Sequence, residues 1–560
     1  MSVLMKLVIL VPCCFFLVGL IKFLYDYLWT PLRIQHVMNS QGIKGPPYRF
    51  IHGNNDQVTR MKKEASTKPM SLTRHEIFPT VQPHIYSWLN TYGKNYLSWN
   101  GVQAELVISE PELVKEVLKN SEKAFPKPKP TLLGSKLLGK GLVMVEAENW
   151  VKQRKLANFA FHGESLKNMI PAVVASVETM LKRWKGQEGK EMDVYQEFRL
   201  LTAEVISRTA FGSSYLEGEK IFTMLNKLST IVIRNIFTTR IPFISKLWKT
   251  ADLVESEELH KGIQDCVMEI IKKREDKVAS GEADGFGNDF LGLLVDAYHD
   301  LDEKKRLSLE DLVGECKTFY LAGQETVNSL LGWTVLLLSI HEDWQEKARR
   351  EVFEMFGNQN PHPEGIARLK TMTMIMNETL KIVALNIALH NDPQLWGDDV
   401  HLFKPERFAE GIAKATNHNA AAFFPFGLGA RSCVGMTFAT TEAKIALSMI
   451  LQRYTMTLSP AYVHKPVLLI GLKPQHGIQD HLHRLQQGAI QNHHQRDLHQ
   501  LHNPASKKVE CVAFSEVDVL KFLLVGQLHL VVQGLPHWPL HVFPHDHPLQ
   551  HCFQCHDWIG

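Results

Sequence analysis

Cys433 stands in the stretch FFPFGLGARSCVG, Phe423 to Gly435. Glycines at 427, 429 and 435 let the backbone take tight, partly left-handed turns that a residue with a side chain resists. Such a loop can press its main chain against a flat ligand. It leads into MTFATTEAKIALSMILQRY, an apolar-periodic run that reads as a long helix. Amides and dipole at that helix start favour a thiolate at Cys433, the form that ligates iron. Arg431, two residues earlier, suits a nearby anion such as a carboxylate or propionate. Two plainer readings compete. Cys433 could be one more buried small hydrophobe. The Gly-Leu-Gly could belong to a dinucleotide loop, but no strand-turn-helix unit with the full glycine fingerprint surrounds it.

A second group is Ala322-Gly323-Gln324-Glu325-Thr326, in the middle of LEDLVGECKTFYLAGQETVNSLLGWTVLLLSI, Leu309 to Ile340. A mid-helix glycine costs about 1 kcal/mol against alanine, and a buried Glu beside Thr costs more unless both are partnered. Such a local violation is expected of a functional kink; a glycine that merely admits a neighbouring helix is the alternative. A third group is Trp150 and Arg154, spaced i, i+4 on one helix face. Alone, it is an ordinary stacked pair.

These groups need a helical scaffold. The 32-residue run around Gly323 is apolar almost all round and too long for a surface helix, so a buried central helix is expected. PELVKEVLKN starts with a proline suited to a first turn, and residues 164–274 carry repeated 3.6-period stripes. One hairpin is expected where Asn100-Gly101 separates the strand-like runs YLSWN and VQAELVIS. The fold class is therefore mainly α with a minor β-sheet. At 560 residues, 45% hydrophobic and 22% charged, the chain can bury a large core. Its 62 basic against 59 acidic residues leave a net charge of +3, too balanced for a nucleic-acid partner. Eight thinly spread cysteines indicate a reducing compartment rather than a disulfide scaffold.

The N-terminus is apolar from Leu7 to Ile21, flanked by Lys6 and Lys22 and prolonged by aromatic residues to Trp29. It reads as a single transmembrane anchor over residues 1–29, since no small-residue cleavage site marks a signal peptide and Tyr25, Tyr27 and Trp29 suit an interfacial belt. Lys22, Arg33, Lys44 and Arg49 outnumber Lys6, which places the large domain in the cytosol. Residues 30–50, with Gly42, Gly45, Pro46 and Pro47, read as a stiff hinge.

The run FGLGARSCVG is similar to the haem-binding signature of the cytochrome P450 family. The resemblance implies haem b with Cys433 as the axial iron ligand, Phe426 packed near the thiolate and Arg431 on a haem propionate, with Trp150 and Arg154 reaching the propionates too. Thiolate ligation that pushes electron density toward O–O cleavage is this family's device. It also implies that Glu325 and Thr326 relay protons to the oxygen being activated. Val327 replaces the usual second hydroxyl, and the retained Thr326 favours an oxygen-using monooxygenase over peroxide-rearranging members. GPPYRFIHGN, WGDDVHLFKPERF and LKPQHGIQ resemble the plant clan that oxidises terpenoids and related hormones. The expected activity is insertion of one oxygen atom of O2 into a hydrophobic small molecule. Electrons would come from NADPH through a membrane-bound NADPH-cytochrome P450 reductase, at the endoplasmic reticulum membrane. Lys152 and Lys155 are candidates for the surface that meets that acidic partner, with a solvated charged face as the alternative.

The resemblance breaks in two places. In the family a Glu-x-x-Arg helix pairs with a later Arg to brace the cysteine loop. Here these positions are Glu378, Lys381 and Arg407, and Lys lacks the planar fork of Arg. After Lys381 a family segment of roughly three to four dozen residues is missing, enough for several strands, so the haem domain, residues 51–480, is expected to be incomplete. A lost exon or a splice variant would explain it. Beyond Gln479 the likeness stops. Residues 481–560 hold 13 of the 27 histidines amid scattered prolines, which reads as an unstructured or wrongly joined tail. Its Cys552-x-x-Cys555 with His551 and His556 is half a zinc site without a partner. The rival to an active enzyme is thus a catalytically inactive relative that lacks part of its pocket; a haem-free binding protein is disfavoured by the intact cysteine loop.

Overall fold

The computed structural model describes residues 3–67, 70–72, 75–119, 125, 127, 130–238, 249–384, 387–419, 421–485 and 528–531. Helix accounts for 63% and strand for 7%, which is the mainly α architecture expected from the periodicity. The likeness of the zinc half-site to a metal centre cannot be followed, because residues 551–556 lie outside the described residues.

The N-terminal helix α1 (Val3–Leu24) runs through a π-helical turn, Tyr25–Trp29, into α2 (Thr30–Ser40). The side chains of residues 9–21 stand clear of the rest of the protein. This differs from the reading of residues 30–50 as one hinge: Pro31 sits at a first-turn position of α2, where its missing N–H costs nothing, so helix persists to Ser40 and only residues 41–50 connect without it.

Strands β1 (Asn95–Asn100) and β2 (Gln103–Ile108) pair antiparallel, Asn100 opposite Gln103. The turn residues are therefore Gly101 and Val102, one position later than the Asn-Gly pair suggests, and Gly101 has φ +59°. Helix α3 (Pro111–Lys119) follows, then α4 (Ala147–Phe161), α5 (Gly163–Trp184), the short strand β3 (Glu191–Asp193) and α6 (Val194–Ala210).

The central helix α7 spans Leu309–Ile340, bounded as the hydrophobic run predicts. A capping box starts it: the Asp311 amide donates to Ser308 Oγ at 3.2 Å and the Ser308 amide to Asp311 Oδ2 at 2.9 Å. Nearly all of its later residues are buried in the main core. The helix is unbroken through Gly323, where an added Cβ would lie 2.5 Å from Ile206 of α6, so the glycine serves helix packing.

Helix α8 (Lys370–Val383) carries Glu378 and Lys381, and α9 (Met436–Leu451) follows the cysteine loop. At the C-terminal side β4 (Tyr454–Leu458), β7 (Gln479–Arg484) and β3 form one sheet in the order β3-β7-β4, while β5 (Pro466–Leu468) and β6 (Leu472–Pro474) make a hairpin. Strand β7 thus runs to Arg484, four residues past the expected boundary at 480, because β3 and β4 hold it from both sides. A last strand, β8 (Leu528–Val531), pairs with β2.

Candidate active site

Helix α7, the cysteine loop, the end of α8 and the β5–β6 hairpin line a largely apolar cavity. Cys433 and Phe426 of the cysteine loop, Ala322, Gly323 and Thr326 of α7, and Leu472 of β6 all line it. Thr326 is exposed on an otherwise buried helix because its face is this cavity. Its Oγ1 donates to the Ala322 carbonyl at 2.7 Å, which fixes the hydroxyl against the helix. Val327 also lines the space and brings no hydroxyl.

Glu325 does not reach the cavity. It is 2% exposed and forms an ion pair with Lys473 of β6, whose side chain is about one-fifth exposed. Lys473 is not legible from its sequence; the only signal is the apolar run Val467–Leu472 interrupted by Gly471. The same hairpin is pinned to α7 twice more, since Ser329 Oγ and Trp333 Nε1 both donate to the Leu472 carbonyl, at 2.8 and 2.9 Å.

The cysteine loop is held from two sides. Within it, the Gly427 amide donates to the Phe424 carbonyl at 2.7 Å, and Gly427 and Gly429 have φ of +71° and +91°. A Cβ at Gly429 would meet the Leu118 carbonyl oxygen at 2.6 Å, so the loop needs glycine there. From α4, Arg154 Nη1 donates to the Ser432 carbonyl at 2.6 Å. Arg431 Nη1 donates to the Val145 carbonyl at 2.9 Å, and its guanidinium lies 4.7 Å from the centre of the Trp150 ring. The structure therefore brings Trp150, Arg154, Arg431 and Cys433 together. Lys152 donates to the Arg306 carbonyl at 2.9 Å, and Lys155 is exposed.

Burial pushes the Cys433 thiol up to about 11, against the Gly435 amide and the Arg154 charge, which pull it down. The expected gain from the helix start is thus outweighed: α9 begins only at Met436, and an apolar wall costs a free thiolate more than the dipole returns. A cationic metal at the sulfur would reverse that balance. The residues present fit a haem: a sulfur donor in the wall of an apolar cavity, glycines that leave the main chain bare, and two guanidinium groups beside the loop.

Glu378, fully buried, faces Lys381 Nζ at 3.4 Å and Arg407 Nε at 3.5 Å, and both contacts fall on Oε1. Glu378 Oε2 has no hydrogen-bond partner. Lys381 also donates to the Val400 carbonyl at 2.7 Å and lies 5.5 Å from the Trp396 ring centre. Arg407 is engaged chiefly by Asp399 and the Trp396 carbonyl. Burial raises the Glu378 pKa despite both cations and lowers that of Lys381. No cluster of three or more metal-ligating side chains occurs among the described residues.

The family model described as Cytochrome P450 matches residues 80–386 and 381–477. A protein called Cytochrome P450 CYP749A22 from Panax ginseng is 52% identical over 496 residues, covering 83% of this chain and 94% of its own length. The 11-oxo-beta-amyrin 30-oxidase of Glycyrrhiza uralensis is 39% identical, covering 82% of this chain and 94% of its own length. The 7-deoxyloganic acid hydroxylase of Catharanthus roseus is 38% identical, covering 82% and 95%.

Proposed function

Since the chain belongs to the cytochrome P450 family, a family of haem-thiolate monooxygenases, we propose that Cys433 is its iron ligand and that it oxidises a terpenoid-like hydrophobic molecule. The observation that carries this is the apolar cavity that Cys433 and Thr326 both line. Relatives named as an amyrin oxidase and a deoxyloganic acid hydroxylase support the substrate class. Electrons come from NADPH through a reductase, and the apolar N-terminal helix, consistent with a single-pass anchor, holds the enzyme at the endoplasmic reticulum membrane with the domain in the cytosol.

Bound haem supplies the redox centre at which O2 is activated. The chain's own residues do the rest. Phe426, Phe438 and Leu472 exclude water and leave room for an apolar substrate. Arg431, stacked on Trp150, and Arg154 fix the loop, and the two guanidinium groups offer positive charge for the haem carboxylates. Thr326 Oγ1, tethered to the Ala322 carbonyl, is the group placed to hold and pass a proton inside the cavity. Glu325 contributes from behind, through its pair with Lys473, as the acid nearest that threonine.

The second reading, an inactive relative, is favoured by one observation: the family match divides where the path from Lys381 to Arg407 is short. The test is the reduced carbon-monoxide difference spectrum. The chain should give the band of thiolate-ligated haem and Cys433→Ala should lose it; an unchanged band in that variant defeats the ligand assignment. Haem binding without NADPH- and reductase-dependent product would establish the inactive reading.

A further inference from the structure

The hairpin β1–β2 has two outer edges, one along each strand. The edge of β1 is covered by the connector: the Leu97 amide donates to the Lys44 carbonyl at 3.0 Å, the Asn54 amide to the Trp99 carbonyl at 2.8 Å, and Gly53 bridges Asn100. The edge of β2 is different. Among the described residues, the only strand beside it is β8, in the register Ile108 to Leu528, Val107 to His529, Leu106 to Leu530 and Glu105 to Val531. With β8 in place, Leu106, Val107 and Ile108 are at most 2% exposed, so the outward amides and carbonyls of this edge are met by β8 and not by water. The short path between Val383 and Arg407 offers none, because its described residues form only brief helical turns.

We propose that the outer edge of β2 is a strand-acceptor site and that residues 528–531 of the same chain are its occupant. The tail then has a role: it closes the sheet beside the haem domain by strand addition. The sequence suits this. QLHLVVQ, residues 527–533, is rich in strand formers and bounded by Gly526 and Gly534. Residues 486–527 can span on the order of 100 Å when extended, so the link reaches the site without strain. Tethering also gives the strand a high effective concentration at its own molecule, which favours this copy over a second one. Two strands alone are marginal, and an open apolar edge invites aggregation.

The test compares three detergent-solubilised proteins: the full chain, a chain ending at Leu485, and the full chain carrying His529→Pro with Leu530→Pro. Adjacent prolines remove the ladder amide whichever of the two faces β2. Hydrogen exchange is followed in residues 103–108. Exchange should rise at least tenfold in both altered proteins, and a synthetic peptide of residues 525–534 should restore protection to the shortened chain. If shortening prevents folding, the double-proline chain, which keeps all 560 residues, still gives the answer. Unchanged exchange in that variant overturns the proposal. Protection that appears only as the light-scattering mass doubles with concentration would overturn the assignment to the same chain, because the strand would then come from a second copy.

Discussion

The cysteine loop and the Glu378 brace, at the two ends of the site's support, are built differently. At the cysteine loop, glycine turns, two arginines from separate positions and the Trp150 ring converge on a dozen residues, with Arg154 bonded to the Ser432 carbonyl and Arg431 to the Val145 carbonyl. At the Glu378 end, two cations crowd one carboxylate oxygen while the other has no hydrogen-bond partner. The first region would survive the loss of one contact; the second depends on a single atom. Local motifs build a ligand loop, whereas a brace is an agreement among distant segments, and it is the brace that a shortened path from Lys381 to Arg407 disturbs.

The largest effect that would sharpen this contrast is expected from Glu378→Ala. Removing the carboxylate leaves Lys381 and Arg407 buried without their shared anion, which costs about 3–5 kcal/mol, enough to unfold a marginal chain. Haem per protein and the urea midpoint should both collapse. A variant that keeps near-normal haem would show that the brace is not what supports the loop.

Acid should attack the same end next. Burial, with a smaller contribution from the Lys381 charge, depresses His390 and His75 to about 3 from the usual 6.5. Their folded pKa values lie below the unfolded ones, so the unfolded chain takes up protons first. The stability they contribute is present above pH 6.5 and is lost as pH falls from there toward 3. At pH 5.5 each site costs about 1.4 kcal/mol, about 3 kcal/mol for the pair. The His390 ring centre lies 5.3 Å from that of Phe423, at the start of the cysteine loop. Urea midpoints at pH 7.5 and 5.5 should therefore converge in His390→Phe; an unaltered pH slope would remove His390 from the account.

Arg154→Ala tests the sturdier end. It deletes the donor to the Ser432 carbonyl, a charge-assisted bond worth about 1.5–3 kcal/mol, yet Arg431 still ties the loop to the Val145 carbonyl. The thiolate band should persist with a reduced haem yield. Complete loss of haem would erase the proposed difference between the two ends.

How much of this was legible depended on how local each feature is. The cysteine loop, the bounds of α7 and the hairpin could be read because glycine spacing, unbroken apolarity and turn residues act within a few positions. The role of Gly323 could not, since its neighbour Ile206 lies on another helix. Nor could the seat of Glu325: its partner Lys473 is far along the chain, and only the folded hairpin brings them together. Helix persists to Ser40 for a different reason: Pro31 is compatible with a helix start, and the helix-breaking Gly-Pro cluster begins only at Gly42.

The smallest effect is expected from Lys381→Arg, the change that restores the family's brace residue. Arg would offer Glu378 a two-pronged partner, including the oxygen that Lys381 leaves without a bond. Lys381, however, is 1% exposed and already engages Glu378, the Val400 carbonyl and the face of Trp396. A larger planar group must displace at least one of these in a packed site, and overpacking costs about 1–3 kcal/mol. The two terms are of similar size, so the net change in haem content should be slight. An insertion of the family segment after Lys381 is different in kind, because it supplies backbone that the brace and the cavity wall lack. Haem per protein and product formed with reductase should rise for the insertion and not for Lys381→Arg. Full recovery with Lys381→Arg alone would mean that the fork, and not the missing backbone, limits this end of the cavity.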